Sequence, residues 1–368
     1  MIHGATNEEE RHARFQRTVA LLRDPDASFT AEAIYMLSDL DGAYLAQFRA
    51  LWGDMSVARR QALVTRLIET AEMNFELDFS AIVHPALDDP DATVRATAVE
   101  GVLEDSPRRV IERLMHLAQN DPTSAVRAAA ARSLGQFVLL GELGKLPETL
   151  SARLQDLLFA LYNDLGEDLD VRRRALEAIS NCGHEGVAGL IREAYYADDL
   201  PLRASAIFAM GRSCDERWAS RIMDELSSER PEMRYEAARA AGELELRPAV
   251  ARLIELAYED DREIQEIAIW ALGEIGGKQA NRALDRLAAL AASQEDDELA
   301  DAIAEAQSAS SLAGEDLMPL FDFDDFEDDL LDDEDLLNDD GSLNERRFSY
   351  LDEERFFGAN ADEDEDLL

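Results

Sequence analysis

Apolar residues recur along most of this chain at the spacing of one face of an α-helix. One segment places Val171, Ala175, Leu176 and Ile179 in this way, and the pattern returns 31 residues further on. Side chains three, four and eight positions apart lie on one side of a helix, so each such segment predicts a helix with a buried stripe. Alternating β-branched stretches do not occur in the sequence, which therefore predicts an all-α fold.

A gapless alignment of these segments reveals an internal repeat marked by a column of arginines. The column contains Arg95, Arg127, Arg172, Arg203 and Arg234, then Gln265, at spacings of 32, 45, 31, 31 and 31 residues. Repeats of this length are typical of stacked units, none of which buries its apolar face alone. Glycines follow the stripes at the same period, where a C-terminal helix cap or tight packing would need them: Gly211, Gly242 and Gly273.

A second apolar column indicates that each unit is a pair of helices. This column contains Ile191, Ile222, Leu253 and Leu284, again 31 residues apart. Two weaker copies of the first stripe precede the arginine column, which brings the predicted number of units to eight. One consists of Phe29, Ala33, Ile34 and Leu37; the other has Ala58, Ala62 and Leu63, with Arg66 where an apolar residue is expected.

The repeats predict three regions along the chain. Residues 1–23 contain an N-terminal capping helix over 8–23, with Asn7 and Glu10 at capping-box spacing. Residues 24–309 form the solenoid, which a more acidic helix over 296–308 closes. Residues 310–368 form an acidic tail. The spacing of 45 between Arg127 and Arg172 inserts about fourteen residues, which we expect to form a longer second helix or a loop and to change the curvature locally.

The motif of each unit, Asp followed by Val-Arg, Ala and small-Leu-Gly, resembles HEAT repeats of the short bacterial type also found in phycobilisome bilin lyases. The resemblance covers roughly residues 24–292. It implies an α-solenoid whose second helices line the concave surface. It also implies that the arginines of the column form hydrogen bonds that hold neighbouring repeats together. For Arg172 the expected partner is Asp170 or Asp199. An enzyme of the bilin-lyase type remains the alternative, although it would need a tetrapyrrole cavity and an acid or base that the sequence does not reveal.

The charge of the chain restricts its partners. It contains 79 acidic against 36 basic residues among 368, a formal net charge of −43, which disfavours direct binding to nucleic acid or an anionic membrane. No apolar run is long enough to span a bilayer. Two cysteines cannot form a disulfide framework, and the opening residues lack a signal-peptide pattern, so we expect a reducing cytoplasm.

The sequence offers little catalytic chemistry. Five histidines are scattered without a His-Glu-x-x-His motif, and no Cys-x-x-Cys pair, phosphate loop or nucleophile elbow is found. We therefore expect no metal, no cofactor and no catalytic residue. His184 and Glu185 are interpreted as solvated loop residues.

Two sets of residues are candidates for binding a partner. The first lies on the second helices, where arginines suit carboxylate recognition and an indole could add aromatic surface: Arg217, Trp218, Arg221, Arg252, Arg282 and Arg286. The second lies in the tail, which has 23 acidic and three basic residues and is predicted to be disordered when free. Its anchors among the carboxylates are Phe321, Phe323, Phe326, Phe348, Phe356 and Phe357.

Together these patterns favour a non-enzymatic interaction scaffold. A solenoid groove would bind a protein partner that is basic or has an exposed apolar groove. The tail would either recruit that partner or fold back on the solenoid as a self-inhibitor.

Overall fold

The structure, a computed structural model, describes the backbone of residues 2–313 and side-chain surroundings within 9–311. These residues form 18 α-helices and two one-turn 3-10 helices, Glu216–Trp218 and Arg247–Ala249, and no strand is present among them, which confirms the all-α class. The helices are α1 Ile2–Arg23, α2 Ala31–Tyr35, α3 Gly42–Trp52, α4 Val57–Met73, α5 Ser80–Ala86, α6 Ala92–Glu100, α7 Arg108–Asn120, α8 Ser124–Glu142, α9 Glu148–Asn163, α10 Leu169–Ile179, α11 Glu185–Tyr195, α12 Leu200–Arg212, α13 Ala219–Glu225, α14 Pro231–Glu243, α15 Val250–Leu256, α16 Arg262–Ile275, α17 Gly277–Gln294 and α18 Asp297–Ala313.

In chain order these helices form eight pairs, from α2–α3 to α16–α17, with α1 before them and α18 after them. We call the even-numbered members the first helices and the odd-numbered members the second helices. The number of pairs matches the predicted α-solenoid. The described residues divide into two compact units, one that ends at Leu244 and one that begins at Glu245, here called unit 1 and unit 2.

Polar caps set where several first helices begin. The side chains of Ser56, Asp91, Asp168 and Asp261 each accept a hydrogen bond from a backbone N–H two or three residues later. Such a bond satisfies a backbone donor that the first turn of a helix leaves without a partner. The short polar residue before each stripe thus fixes the register of the helix that follows.

The predicted stripes form the core. The stripe of α10 is fully buried, and the small residues Ala175, Ala206 and Ala237 occupy equivalent buried places on α10, α12 and α14. Because these side chains are small, neighbouring first helices approach closely, and in unit 1 each first helix from α4 to α14 packs against the next. The second helices α7, α9, α11 and α13 pack mainly against the first helix of the following pair. The first helices therefore form one tightly packed layer of unit 1, here called the inner layer, and the expectation that second helices line the concave surface stays a prediction.

Glycine is required for this close approach rather than as a helix cap. A Cβ atom on Gly211, inside α12, would lie 2.8 Å from Cα of Ala240 on α14. Within unit 2, a Cβ atom on Gly273 would lie 2.7 Å from the carbonyl oxygen of Ala306 on α18. Of the two predicted reasons for these periodic glycines, tight packing is the one that holds at both positions.

Two members of the arginine column, Arg95 and Arg127, connect successive loops of unit 1. Arg95 donates to both carboxylate oxygens of Asp121 at 2.8 and 2.9 Å and to the carbonyl oxygen of Asp89 at 2.9 Å. Arg127 donates to the carbonyl oxygen of Asp121 at 2.8 Å and to both carboxylate oxygens of Glu167. Each arginine thus joins the loop before its own helix to the loop before the next first helix, which is the inter-repeat role that the resemblance implies.

Three local expectations are corrected. Arg172 pairs with neither Asp170 nor Asp199 but donates to the carbonyl oxygen of Tyr162 at 2.9 Å, at the end of the preceding helix. The second repeat is shifted by one residue, so that Arg60 occupies the arginine column and donates to Asp89 at 3.0 Å. Its buried stripe is accordingly Leu63, Val64 and Leu67, whereas Ala58 and Ala62 are exposed.

The ends of the repeat region also differ from expectation. Helix α1 begins at Ile2, so Asn7 lies within the helix and not at its start. Phe15, Val19 and Leu22 form the predicted buried face. Helix α18 extends to Ala313, beyond the predicted end. The inserted residues between Arg127 and Arg172 lengthen both helices of one pair, α8 to 19 residues and α9 to 16.

Candidate interaction surfaces

The inner layer of unit 1 carries a network of charged and polar side chains that the arginine column places in register. Residues two, five and nine positions after each column residue lie on one face of α10, α12 and α14, except that Asn181 lies in the turn after α10. We call this set the inner-face network: Arg174, Glu177, Asn181, Ser205, Phe208, Arg212, Glu236, Arg239 and Glu243.

Hydrogen bonds and ion pairs cross from helix to helix within this network. Ser205 on α12 donates to Glu177 on α10 at 2.6 Å, and Arg174 pairs with the other oxygen of Glu177 at 2.6 Å. Arg212 on α12 donates to the side-chain oxygen of Asn181 at 2.9 Å and lies 3.4 Å from Glu243 on α14. The network therefore links three consecutive repeats through side chains alone.

Two carboxylates of the network are incompletely satisfied. Burial raises the pKa of Glu236 to about 7, with the negative charges of Glu177 and Glu243 adding to the effect and Arg239 opposing it. Burial likewise raises the pKa of Glu243, against the influence of Arg212 and Arg239. Among the described residues, Oε2 of both Glu236 and Glu243 is buried without a hydrogen-bond partner. Near neutral pH, Glu236 is thus poised between its charged and neutral forms.

An apolar groove lies between the second and third repeats, where the turns after α4 and α6 meet the starts of α5 and α7. Its volume is about 500 Å³, and we call it the Phe75 groove. Phe75 has 94% of its surface exposed and Leu103 has 61%. Other apolar lining residues are Leu67, Ile68, Ala71, Leu77, Phe79 and Val83.

The rim of the Phe75 groove is acidic. Its charged lining residues are Glu72, Asp78, Glu100 and Asp105, and no lysine or arginine is found among the lining residues. His84 also lines the groove and approaches Ser106 Oγ at 3.4 Å. The pKa of His84 is lowered, mainly by burial. The charge of Asp78 opposes this shift and the charge of Arg109 adds to it. Near neutral pH the groove therefore combines an apolar floor with negative charge.

A second, polar cleft of about 360 Å³ occupies the equivalent place between the fifth and sixth repeats. Arg217 lines it and pairs with Asp215 at 2.5 Å. His184, also in the lining, caps α11 by accepting a hydrogen bond from the Gly186 N–H at 3.0 Å. Cys182 is buried there, and burial raises the pKa of its thiol.

The predicted arginine set is divided between the two units. Arg217 is exposed and Arg221 lies over the indole of Trp218, 5.8 Å from the ring centroid. Trp218 itself is only 1% exposed, because it lies one helical turn before the buried Ile222 and on the same face. The expectation of an exposed indole is therefore wrong. In unit 2, Arg252 pairs with Glu255, and α17 carries the remaining two members, Arg282 and Arg286.

The predicted tail anchors lie outside the described residues: Phe321, Phe323, Phe326, Phe348, Phe356 and Phe357. Conversely, the inner-face network and the Phe75 groove were not anticipated. The network could have been found by extending the arginine alignment to the positions two, five and nine residues later. The groove has no equivalent periodic signal, since Phe75 and Leu103 lie in turns.

The described part of the chain lacks the features of two further classes of protein. No group of three or more His, Cys, Asp or Glu side chains within it has the geometry to hold a metal ion. None of its helices combines the length and the apolar character needed to cross a bilayer.

Stacked helix pairs joined by buried arginine bridges define an α-solenoid, a class of repeat protein that builds extended binding surfaces. The sequence profile of HEAT repeats matches residues 81–158 and 219–307. These two segments therefore consist of HEAT repeats, as the arginine column suggests. No curated protein matches the chain by sequence.

Several solved structures are similar to this chain at low identity. YibA of Escherichia coli has 19% identity and a TM-score of 0.40, covering 78% of this chain and 98% of its own. The CpcE–CpcF complex of phycocyanin lyase from a Nostoc species has 16% identity and a TM-score of 0.41, with coverages of 62% and 93%. Importin beta has 13% identity and a TM-score of 0.41, with coverages of 76% and 44%. At these values the similarity carries no information about what this chain binds.

Proposed function

We propose that the protein is a non-enzymatic scaffold that binds a protein partner through its repeat surface. The observation that supports this most directly is the Phe75 groove. A phenylalanine exposed by 94% beside a leucine exposed by 61% gains from being covered, because burial of apolar surface is the main favourable term in protein association. The proposal places the partner over this groove.

The turn that holds Phe75 has hydrogen bonds of its own. The backbone N–H of Glu76 donates to the side chain of Asn74 at 3.1 Å, and Leu77 donates to the Asn74 carbonyl oxygen at 3.2 Å. Phe79, four residues after Phe75, is buried in the core. A preformed apolar surface loses little conformational entropy on binding, which supports a binding role for this turn.

The acidic tail is the second part of the proposal. Residues 310–368 carry a net charge of −20 and interleave aromatic with acidic side chains. We propose that they attract a basic partner at long range, or close over the repeat surface in cis. Both possibilities make binding depend on ionic strength.

A capture experiment tests the scaffold proposal. Full-length protein, a chain ending at Ala313 and the full-length Phe75→Ser/Leu103→Ser variant are immobilised and exposed to native lysate at low and high salt. The proposal expects one set of proteins to be retained by the full chain and depleted on the groove variant. Tail-dependent retention would disappear at high salt. Equal retention by the wild type and the groove variant would contradict the proposal.

A further inference from the structure

We infer that the Phe75 groove binds a basic amphipathic segment of the partner, whose apolar side chains cover Phe75 and Leu103 while its lysines or arginines meet the acidic rim. This inference rests on the proposed function and adds the chemistry of the partner. Three observations carry it: the shape of the apolar floor, the sign of the rim charge, and the charge of the competing occupants.

The floor of the groove is closely packed and preformed. A Cβ atom on Gly101 would lie 2.8 Å from Cγ1 of Ile68 and 2.9 Å from Cγ1 of Val83. These two side chains thus close the floor against the end of α6, and Phe75 and Leu103 line the groove as exposed apolar groups. A groove of this kind accepts a short apolar stripe, such as one face of a helix, rather than a flat surface.

The rim determines the sign of charge on the partner. Glu100 forms an ion pair with Arg132 at 3.3 Å. Glu72, Asp78 and Asp105 form no ion pair within the part of the chain that the structure describes, although Arg109 lies near enough to His84 to influence its pKa. A segment with positive side chains flanking its apolar stripe complements this rim, whereas an acidic segment would bring like charges together.

The same argument disfavours two other occupants. The tail of this chain, residues 310–368, carries apolar anchors but has a net charge of −20. A second copy of the chain has a net charge of −43. Each would face the acidic rim with charge of the same sign, which opposes association at low ionic strength. A basic segment of a different protein has no such penalty.

Peptide selection on the full-length protein tests the inference without assuming a partner. A phage-displayed library of random twelve-residue peptides is panned against the wild type, and binders to the Phe75→Ser/Leu103→Ser variant are removed. Circular dichroism confirms that this variant is folded. We expect the selected peptides to combine aromatic or aliphatic residues with an excess of lysine and arginine.

A synthetic version of the best peptide then tests the rim. Its affinity should fall at least tenfold on the variant Glu72→Gln/Asp78→Asn/Asp105→Asn. The control variant Asp198→Asn/Glu229→Gln/Glu232→Gln removes as much charge from exposed sites elsewhere in unit 1 and should bind within twofold of the wild type.

Three results would overturn the inference: selected peptides that are acidic or neutral, no groove-dependent peptide at all, or equal loss of affinity on the rim and control variants. A synthetic peptide of residues 317–337 that binds the groove would also overturn it, in favour of the tail in cis. If any of these results occurred while the lysate capture still depended on Phe75 and Leu103, the proposed function would stand and only the chemistry assigned to the partner would fall.

Discussion

The carboxylate of Asp121 accepts two parallel hydrogen bonds from the guanidinium of Arg95, at 2.8 Å from Nε and 2.9 Å from Nη2, and both side chains are buried. Arg95 belongs to the third repeat, and Asp121 lies in the loop that leads into the fourth. A bidentate, buried pair fixes both the distance and the angle between the two segments. This pair is therefore the best place to test whether the arginine column holds the repeats together.

Removing one partner of this pair should destabilise unit 1 strongly. Asp121→Ala leaves Arg95 buried without its counter-charge, for which a loss of about 3 to 5 kcal/mol in the free energy of unfolding is expected. Urea unfolding followed by circular dichroism measures it. The control is Glu112→Ala, which removes two surface ion pairs, with Arg108 and Arg153, and should shift the unfolding midpoint far less. Similar midpoints for the two variants would show that the buried bridge is not a structural element.

The bridges also predict loss of stability in acid. Burial alone would raise the pKa of Asp121, but hydrogen bonds from Arg95 and from the Thr123 amide lower it. The hydrogen bond from Arg127 lowers the pKa of Glu167. The unfolded chain therefore binds a proton at each of these carboxylates more tightly than the folded protein does. Their contribution to the free energy of unfolding is complete above the ordinary carboxyl pKa, about 4, and is lost as pH falls below it.

The double variant Asp121→Asn/Glu167→Gln should therefore show a smaller fall in melting temperature than the wild type as pH decreases from neutral to acidic values. Melting curves at a series of pH values measure the slope. An unchanged slope would mean that other carboxylates dominate the acid response.

Glu236 should have the opposite pH dependence. Its pKa in the folded protein, about 7, lies above the ordinary value, so its ionised form is disfavoured by folding and protonation stabilises the native state. Glu236→Gln should therefore stabilise the protein at pH 8, by about 1 to 3 kcal/mol, and have little effect near pH 4. The control Glu232→Gln changes an exposed carboxylate in the first turn of the same helix. Destabilisation by Glu236→Gln at pH 8 would show that the charged form makes essential ion pairs.

The packing of the inner layer predicts opposite effects for two glycine substitutions. Gly211→Ala brings Cβ within 2.8 Å of Cα of Ala240, so the two helices must separate, which should destabilise the protein by about 1 to 3 kcal/mol. Gly189→Ala adds a methyl group with no atom within 4 Å, inside α11, and should stabilise it by about 0.5 to 1 kcal/mol. Thermal melting compares them, and a shift of the same sign for both would contradict the assigned packing.

The repeat period made the architecture predictable, because every repeat supplies an independent copy of the same sequence pattern. Six copies of the arginine column determined the helix pairs and the buried face, and errors occurred where a copy was degenerate. In the second repeat two adjacent arginines, Arg59 and Arg60, made the register ambiguous by one residue. For Arg172 the partner changed because the insertion lengthens the preceding helix, whose last carbonyl groups then meet the guanidinium.

The candidate surfaces were less predictable, because exposure depends on which face of an element its neighbours cover. Trp218 resembles a surface residue among arginines, but its phase relative to Ile222 buries it. Phe75 is exposed because the turn instead directs Phe79 into the core. That choice follows from the packing of the third repeat against the second and is not encoded in the local pattern.

Photo-crosslinking from position 75 tests the central claim of a groove-bound protein partner most directly. Benzoylphenylalanine replaces Phe75 in the full-length protein in cells, and in a control it replaces Tyr196, an aromatic residue of unit 1 that is 66% exposed. The account predicts a discrete adduct with one protein from position 75, absent at position 196, with the crosslinked peptide rich in lysine and arginine. No adduct from position 75, or the same adducts from both positions, would contradict it.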